Sequence, residues 1–332
     1  MKAYILKRIL HMIPTFFGIT FLTFLIIQLA PGNPILMKLQ FTAEGQISDT
    51  ATTKQIIEET KRLYGLDKPL PVQYLMWLKR VVMLDFGKSY KDHRDVWEKI
   101  KERLPVTLQL NVLSFLLIYV IAIPAGVFSA VKSGSKWDRF LTILFFALYS
   151  LPSFWVAVIL IMLFGGGEYW DLFPVYGISS LQADQWPFWK WFLDRMWHLV
   201  LPVFCLSYGG WAYLSRLMRS ELLEVIREDY IRTARAKGLE ERVVIMKHAL
   251  RNALLPIVTL AAYLLPALFG GSVIIESIFS IPGMGQLGFE AVLSRDYPVI
   301  MALTTISALL TLIGLVLSDI LYALLDPRIK LE

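Results

Sequence analysis

The chain has 332 residues, 56% of them hydrophobic and only 18% charged, with a mean hydropathy of +0.56. A soluble domain carries about a quarter charged residues, so a purely water-soluble protein is excluded. The net charge of +6 does not call for nucleic acid, because membrane proteins gather Lys and Arg on their cytoplasmic loops.

In chain order, six runs of twenty or more residues lack Asp, Glu, Lys and Arg: Ile9–Met37, Leu104–Val131, Phe140–Gly167, Met196–Ser215, Asn252–Ile275 and Tyr297–Ser318. Each is long enough to cross a hydrocarbon core of about 30 Å as a helix rising about 1.5 Å per residue. The runs are continuously apolar and do not alternate, which excludes a transmembrane β-barrel. The expected fold is an all-α polytopic membrane protein with six transmembrane helices. Lys2, Lys7 and Arg8 precede a first run too long for a signal-peptide core, and Ala30-Pro31-Gly32 is a poor cleavage site, so the first helix is expected to be retained.

Charge bias orients the spans. The loop Lys132–Arg139 carries Lys132, Lys136 and Arg139, and Arg216–Arg251 carries nine basic residues, whereas Glu168–Arg195 and Glu276–Asp296 are poor in them. Both termini and the two basic loops are therefore expected in the cytoplasm. Domain bounds follow: 1–37 for the N-terminus and first helix, 38–103 for an extracytoplasmic segment, and 104–332 for a core with helices two to six and a cytoplasmic loop at 216–251. Within 38–103, spacing predicts helices over Thr53–Tyr64, Val72–Leu84 and Val96–Arg103, a small helical insertion after the first span. Trp170, Trp186, Trp189, Trp191 and Trp197 cluster before the fourth run, where an interfacial aromatic belt is expected.

Chemistry is sparse. The four histidines (His11, His93, His198, His248) share no ligand spacing, the single Cys205 permits no internal disulfide, and no phosphate-binding glycine loop or hydrolase motif occurs. The runs are free of the intramembrane charges that mark ion-coupled carriers; Asp319 stands at the inner end of the last helix. A pathway without its own energy source points to an engine on another subunit. Prolines 124, 152, 202 and 266 fall within the runs and are read as packing features.

The basic loop is the most informative stretch. In Glu221–Leu239, residues Leu222, Val225, Ile226, Tyr230, Ile231 and Ala234 recur at helical steps. Acids come early, Arg235 and Lys237 late, and Gly238 is placed to end the helix in the left-handed region. A second helix is expected over Glu241–Leu250. A pair lying on anionic lipid would have this pattern; so would a docking knob, with the small residues Thr233, Ala234, Ala236 and Gly238 letting a partner approach closely.

The segments Asp229-Tyr-Ile-Arg-Thr-Ala-Arg-Ala-Lys-Gly-Leu239 and Lys247-His-Ala-Leu-Arg-Asn-Ala-Leu-Leu-Pro256 resemble the coupling loop of ABC-importer permeases, in particular the dipeptide/oligopeptide/nickel family. Arg232-Thr233-Ala234 stand where the wider superfamily has Glu-Ala-Ala. The resemblance continues through Ala30-Pro-Gly-Asn-Pro34, Tyr64-Gly-Leu-Asp-Lys-Pro-Leu70, Asp85-Phe-Gly-Lys-Ser-Tyr90, Arg103-Leu-Pro-Val-Thr-Leu108, Glu276-Ser-Ile-Phe-Ser-Ile-Pro-Gly-Met-Gly285, Arg295-Asp-Tyr-Pro298 and Leu321-Tyr-Ala-Leu-Leu-Asp-Pro-Arg328. It implies a type I ABC-importer permease fold and half of a translocation pathway for peptides, with nickel complexes or oligosaccharides as branch alternatives. A secondary carrier independent of ATP is the rival class. The resemblance also implies a second homologous permease, two ATPase subunits holding ATP and Mg, an extracytoplasmic binding protein, and an inner-membrane location in a prokaryote. No cofactor, metal, catalytic residue or nucleic acid is expected for this chain. Tyr230, Arg232, Thr233, Ala234, Arg235, Ala236, Lys237, Gly238 and Leu239 are the expected coupling residues.

Overall fold

The computed structural model describes residues 2–29, 68–166, 169–263 and 266–325, and these residues are helical with no strand among them. Helix α1 spans Lys2–Leu29, α2 Leu70–Val82, α3 Val96–Val131, α4 Lys136–Ser150, α5 Ser153–Phe164 and α6 Phe188–Val225. They are followed by α7 (Asp229–Ala236), α8 (Leu255–Tyr263), α9 (Val273–Ile278), α10 (Met284–Leu293) and α11 (Tyr297–Leu325). Among the described residues, three helices are single stretches long and apolar enough to span a membrane: Leu10–Leu29, Val96–Val131 and Tyr297–Leu317; the pair α4–α5 makes a fourth if its bend is counted as one span.

The helices differ from the sequence expectation in instructive places. The expected helices Val96–Arg103 and Leu104–Val131 are one, α3, which runs through Pro105, and Val72–Leu84 appears as α2, Leu70–Val82. The expected helix over Thr53–Tyr64 lies outside the described residues. The third run is bent by 97° between α4 and α5, at Leu151-Pro152, where proline removes a ladder hydrogen bond. The Leu151 carbonyl freed there accepts from the buried Tyr208 hydroxyl on α6 at 2.7 Å, as a broken helix in an apolar medium requires. The fifth run is also broken. After α8 comes a single 3₁₀ turn, Pro266–Leu268, and then glycines before α9. Prolines 124 and 202, by contrast, lie inside uninterrupted helices.

The described residues fall into two compact units, one of those within 106–286 and 313–325, the other of those within 2–105 and 287–312. The first has two apolar cores. Leu110, Phe145, Ala157, Leu199, Trp211 and Phe279 join α3, α4, α5, α6 and α9. Met218, Leu222, Ile231, Val244, Ala249 and Ile257 join the far end of α6 to α7, α8 and the chain between them. Helices α3 and α6 touch closely at Gly126, where a Cβ would stand 2.6 Å from the Ser215 carbonyl oxygen; small residues permit such backbone approach in membrane bundles. In the second unit α2 lies on α1. Tyr74 packs edge-on against Phe21 at 5.4 Å and bonds the Thr20 hydroxyl at 2.9 Å, and Gln28 donates to Gln73 at 2.9 Å.

Candidate functional site

The basic loop folds as two short helical pieces bonded to each other. The periodicity from Leu222 to Ala234 runs through a break: α6 ends at Val225, a turn follows, and α7 starts at Asp229. Nothing in the sequence marks this break, since neither Gly nor Pro stands there. Acid Asp229 opens α7 and Arg235 closes it, in the order the helix dipole favours. Gly238 then has φ +77° with open space around its α-carbon, so the turn needs glycine for its backbone and not for room. The expected second helix is one α turn at Glu241–Val243, a π segment over Val244–Ala249 and a further α turn at Leu250–Ala253.

The expected coupling residues divide by face. Ile231 and Ala234 are buried in the core beneath the loop, so Ala234 is turned inward and is not part of the tip. Arg232, Thr233, Arg235, Ala236, Lys237 and Gly238 are exposed, with Tyr230 and Leu239 about 40% exposed beside them. Arg235 grips Glu241 through two bonds of 3.0 and 2.7 Å, which lowers the Glu241 pKa. Tyr230 accepts from Asn252 at 2.6 Å, and the Thr233 hydroxyl donates back to the Asp229 carbonyl at 2.9 Å. Exposed pairs of this kind are worth little in stability; those of Arg235 with Glu241 and Tyr230 with Asn252 join the two pieces. An open cleft of about 530 Å³ lies alongside, lined by Arg219, Leu223, Glu224, Arg227, Glu228 and Asp229 among others.

A clamp that sequence reasoning missed holds the loop's root. Asp138, buried at the start of α4, accepts from Arg219 Nε and Nη2 at 3.0 and 2.9 Å and from the Gly134 backbone at 2.9 Å. The Arg219 guanidinium holds the Asp138 carboxyl below the usual carboxylate range. Arg219 also reaches Ser133 at 3.0 Å, and Ser135 caps α4 by accepting from Asp138 N. The loop Lys132–Arg139 is thereby tied to the end of α6.

Two further polar knots explain motifs that the sequence alone could only match. Glu276 is 1% exposed. Its carboxylate accepts from Gln286 N at 2.7 Å and Thr107 Oγ1 at 3.3 Å, while Thr107 Oγ1 accepts from Met284 N at 2.8 Å. A Cβ at Gly283 would collide with this carboxylate. One turn along α3 from Thr107, the Asn111 amide donates toward the carbonyls of Ala267, Leu268 and Gly270 at 2.8–3.1 Å, serving the broken fifth run. In the second unit Asp296 accepts from the Ser89 hydroxyl and from Tyr90 N, and Lys99 bridges Ser89 and Asp92. The visible signal for both acids was a charge at the very edge of an apolar run.

Comparison with known proteins decides what kind of molecule carries this loop. The model of the family described as binding-protein-dependent transport system inner membrane component matches residues 122–331, and its N-terminal companion matches 1–111. The chain belongs to this family. The permease is 44% identical over 331 residues to the oligopeptide transport system permease protein AppB of Bacillus subtilis (strain 168), covering 99% of this chain and all of that one. It is 37% identical over 346 residues to the dipeptide transport system permease protein DppB of Escherichia coli (strain K12), with 99% of each covered. It is 35% identical over 360 residues to the peptidoglycan transport system permease protein YejB of Agrobacterium fabrum, covering all of this chain and 99% of that one. Among solved structures, inward-facing MetNI methionine ABC transporter aligns at TM-score 0.49 and 18% identity, over 68% of this chain and 96% of that one. The resemblance drawn from the motifs is therefore correct: the permease is an inner-membrane transport component of the dipeptide/oligopeptide permease kind.

Proposed function

We propose that the permease is one half of the translocation pathway of an ATP-binding-cassette importer for peptides, with a type I importer fold, six spans and both termini in the cytoplasm. A second, homologous permease completes the pathway. An extracytoplasmic binding protein delivers the peptide, and two ATPase subunits supply the energy and hold ATP and Mg. The observation that carries this reading is the end-to-end similarity to oligopeptide and dipeptide permeases.

The loop 216–251 is the proposed contact with an ATPase. Tyr230, Arg232, Thr233, Ala236, Lys237, Gly238 and Leu239 form its exposed surface, Ala234 and Ile231 root it in the core, and Arg235 sets its angle through Glu241. Closure of the ATPases on ATP moves this loop. Because α7 shares a packed core with α6 and α8, the motion passes into the helices as a rigid displacement and shifts the permease between two conformations. Co-purification tests the proposal. Affinity capture of the tagged permease should retain the partner permease and both ATPases, with ATP hydrolysis in the complex and none in the permease alone. Hydrolysis at the full rate by the isolated permease contradicts it.

A further inference from the structure

The interruption of the fifth run has one packed side and one open side. A Cβ at Gly271 would strike the Gly285 backbone, so the chain there is pressed against the start of α10. Ala267 and Gly270 are exposed, and a Cβ at Gly270 would meet nothing nearer than the Ala267 carbonyl oxygen at 3.8 Å. Asn111 ties this stretch to α3. Its amide nitrogen lies 3.1, 2.8 and 2.9 Å from the carbonyl oxygens of Ala267, Leu268 and Gly270. The bonds to Ala267 and Gly270 are themselves exposed.

Depth makes this arrangement informative. Helix α3 is unbroken, and Asn111 stands seven residues beyond Leu104, where the second run begins. At about 1.5 Å per residue that is about 10 Å inside a hydrocarbon core of about 30 Å. The carbonyls that Asn111 touches share its depth. Non-helical backbone at that depth does not face lipid; it is buried in protein or lines water. An amide nitrogen has two hydrogens, whereas three carbonyl oxygens have two lone pairs each, so accepting capacity is left over on the open side. The next acid along the chain, Glu276, is turned to Thr107 and to Gln286 N and brings no charge there. An uncharged row of acceptors matches main-chain N–H groups, which a peptide presents whatever its side chains.

We infer that the segment 267–270, held by Asn111, lines the water-filled pathway and offers its carbonyl oxygens to the main-chain N–H groups of the passing peptide. The inference rests on the peptide reading above. It is tested in the complete complex in vesicles, with single cysteines replacing Ala267, Gly270 and Val120 in a Cys205→Ser background. Val120 is 66% exposed but lies on the opposite side of α3 from Asn111. The probe is a charged, water-soluble methanethiosulfonate supplied on both sides; it reacts with thiolate, a form that apolar surroundings suppress. Ala267→Cys and Gly270→Cys should react at least about tenfold faster than Val120→Cys, and the reaction should lower peptide uptake. Peptide given with binding protein and ATP should slow the reaction about twofold or more against binding protein and ATP alone. Rates at both positions no faster than at Val120 would mean that the partner permease covers the segment, and would overturn the inference. Rates that peptide leaves unchanged overturn it as well. If Gly270→Cys does not assemble, Ala267→Cys carries the same comparison. A wild-type complex that imports no peptide refutes the peptide reading itself, whereas import with no reaction at these positions refutes this assignment alone.

Discussion

Gly238 ends α7 in the left-handed region with nothing near its α-carbon, so substitution there acts through backbone strain alone. Gly238→Val should cost about 1–3 kcal/mol locally, too little to prevent membrane insertion and enough to misplace α7. Uptake by the complex should fall severely while expression holds, and Gly238→Asn, which tolerates φ > 0, should retain much of it. Full uptake by the valine variant would remove Gly238 from the coupling path. Asp138 behaves differently because its contribution is charge. Its folded pKa is lowered by Arg219, so the clamp is fully present above the ordinary carboxylate pKa and is lost as pH falls through the folded value. Asp138→Asn should therefore abolish the acid-sensitive step in the thermal stability of the purified permease. At neutral pH it should also cost about 1.5–3 kcal/mol for each charged hydrogen bond lost. A variant with wild-type stability at both pH values would deny the clamp its role. The positive φ of Gly238 was legible in the sequence because glycine follows a periodic stretch ending in basic residues. The pairings of Asp138 with Arg219, Glu276 with Thr107 and Asn111 with Leu268 were not, since each joins residues more than eighty apart along the chain and no local pattern encodes it.

The elements show where apolar patterning suffices and where it fails. The second and last runs lie within single helices, as does the described part of the first, residues 9–29, and α6 contains the whole fourth run. Charge-free length cannot reveal a break, so the bend in the third run and the interruption of the fifth were missed, although Pro152 stood at the first and Pro266 opens the 3₁₀ turn of the second. The turn between α6 and α7 was hidden for the opposite reason: helical spacing of Leu222, Val225, Ile226 and Tyr230 persists across it. The bend at Leu151 depends on Tyr208 to satisfy a freed carbonyl. Tyr208→Phe should lower the thermal stability of the purified permease by about 1–2 kcal/mol, and no change would show that another group serves that carbonyl. Topology is tested at the same scale. In a Cys205→Ser background, single cysteines replacing Ser135 and Lys237 should react only with reagent reaching the cytoplasmic side, and one replacing Gln182 only from outside. The reverse pattern would overturn the orientation drawn from charge bias.

For the molecule as a whole, the cores and the knots divide the work. Apolar packing joins α3, α4, α5, α6 and α9 into one body and the loop pieces with α6 and α8 into another cluster, while Asn111 and Glu276 bond the irregular backbone around and after the fifth run. That division suits a conduit moved by an outside engine: regular helices carry displacement, and irregular segments are held in defined positions by Glu276 and Asn111. The measurement that tests this account most directly is peptide uptake into vesicles holding the permease, its partner permease and both ATPases. Accumulation of an oligopeptide should require ATP on the ATPase side and binding protein on the other, and should vanish when either is withheld. Accumulation that persists without ATP, driven by an ion gradient, would contradict it.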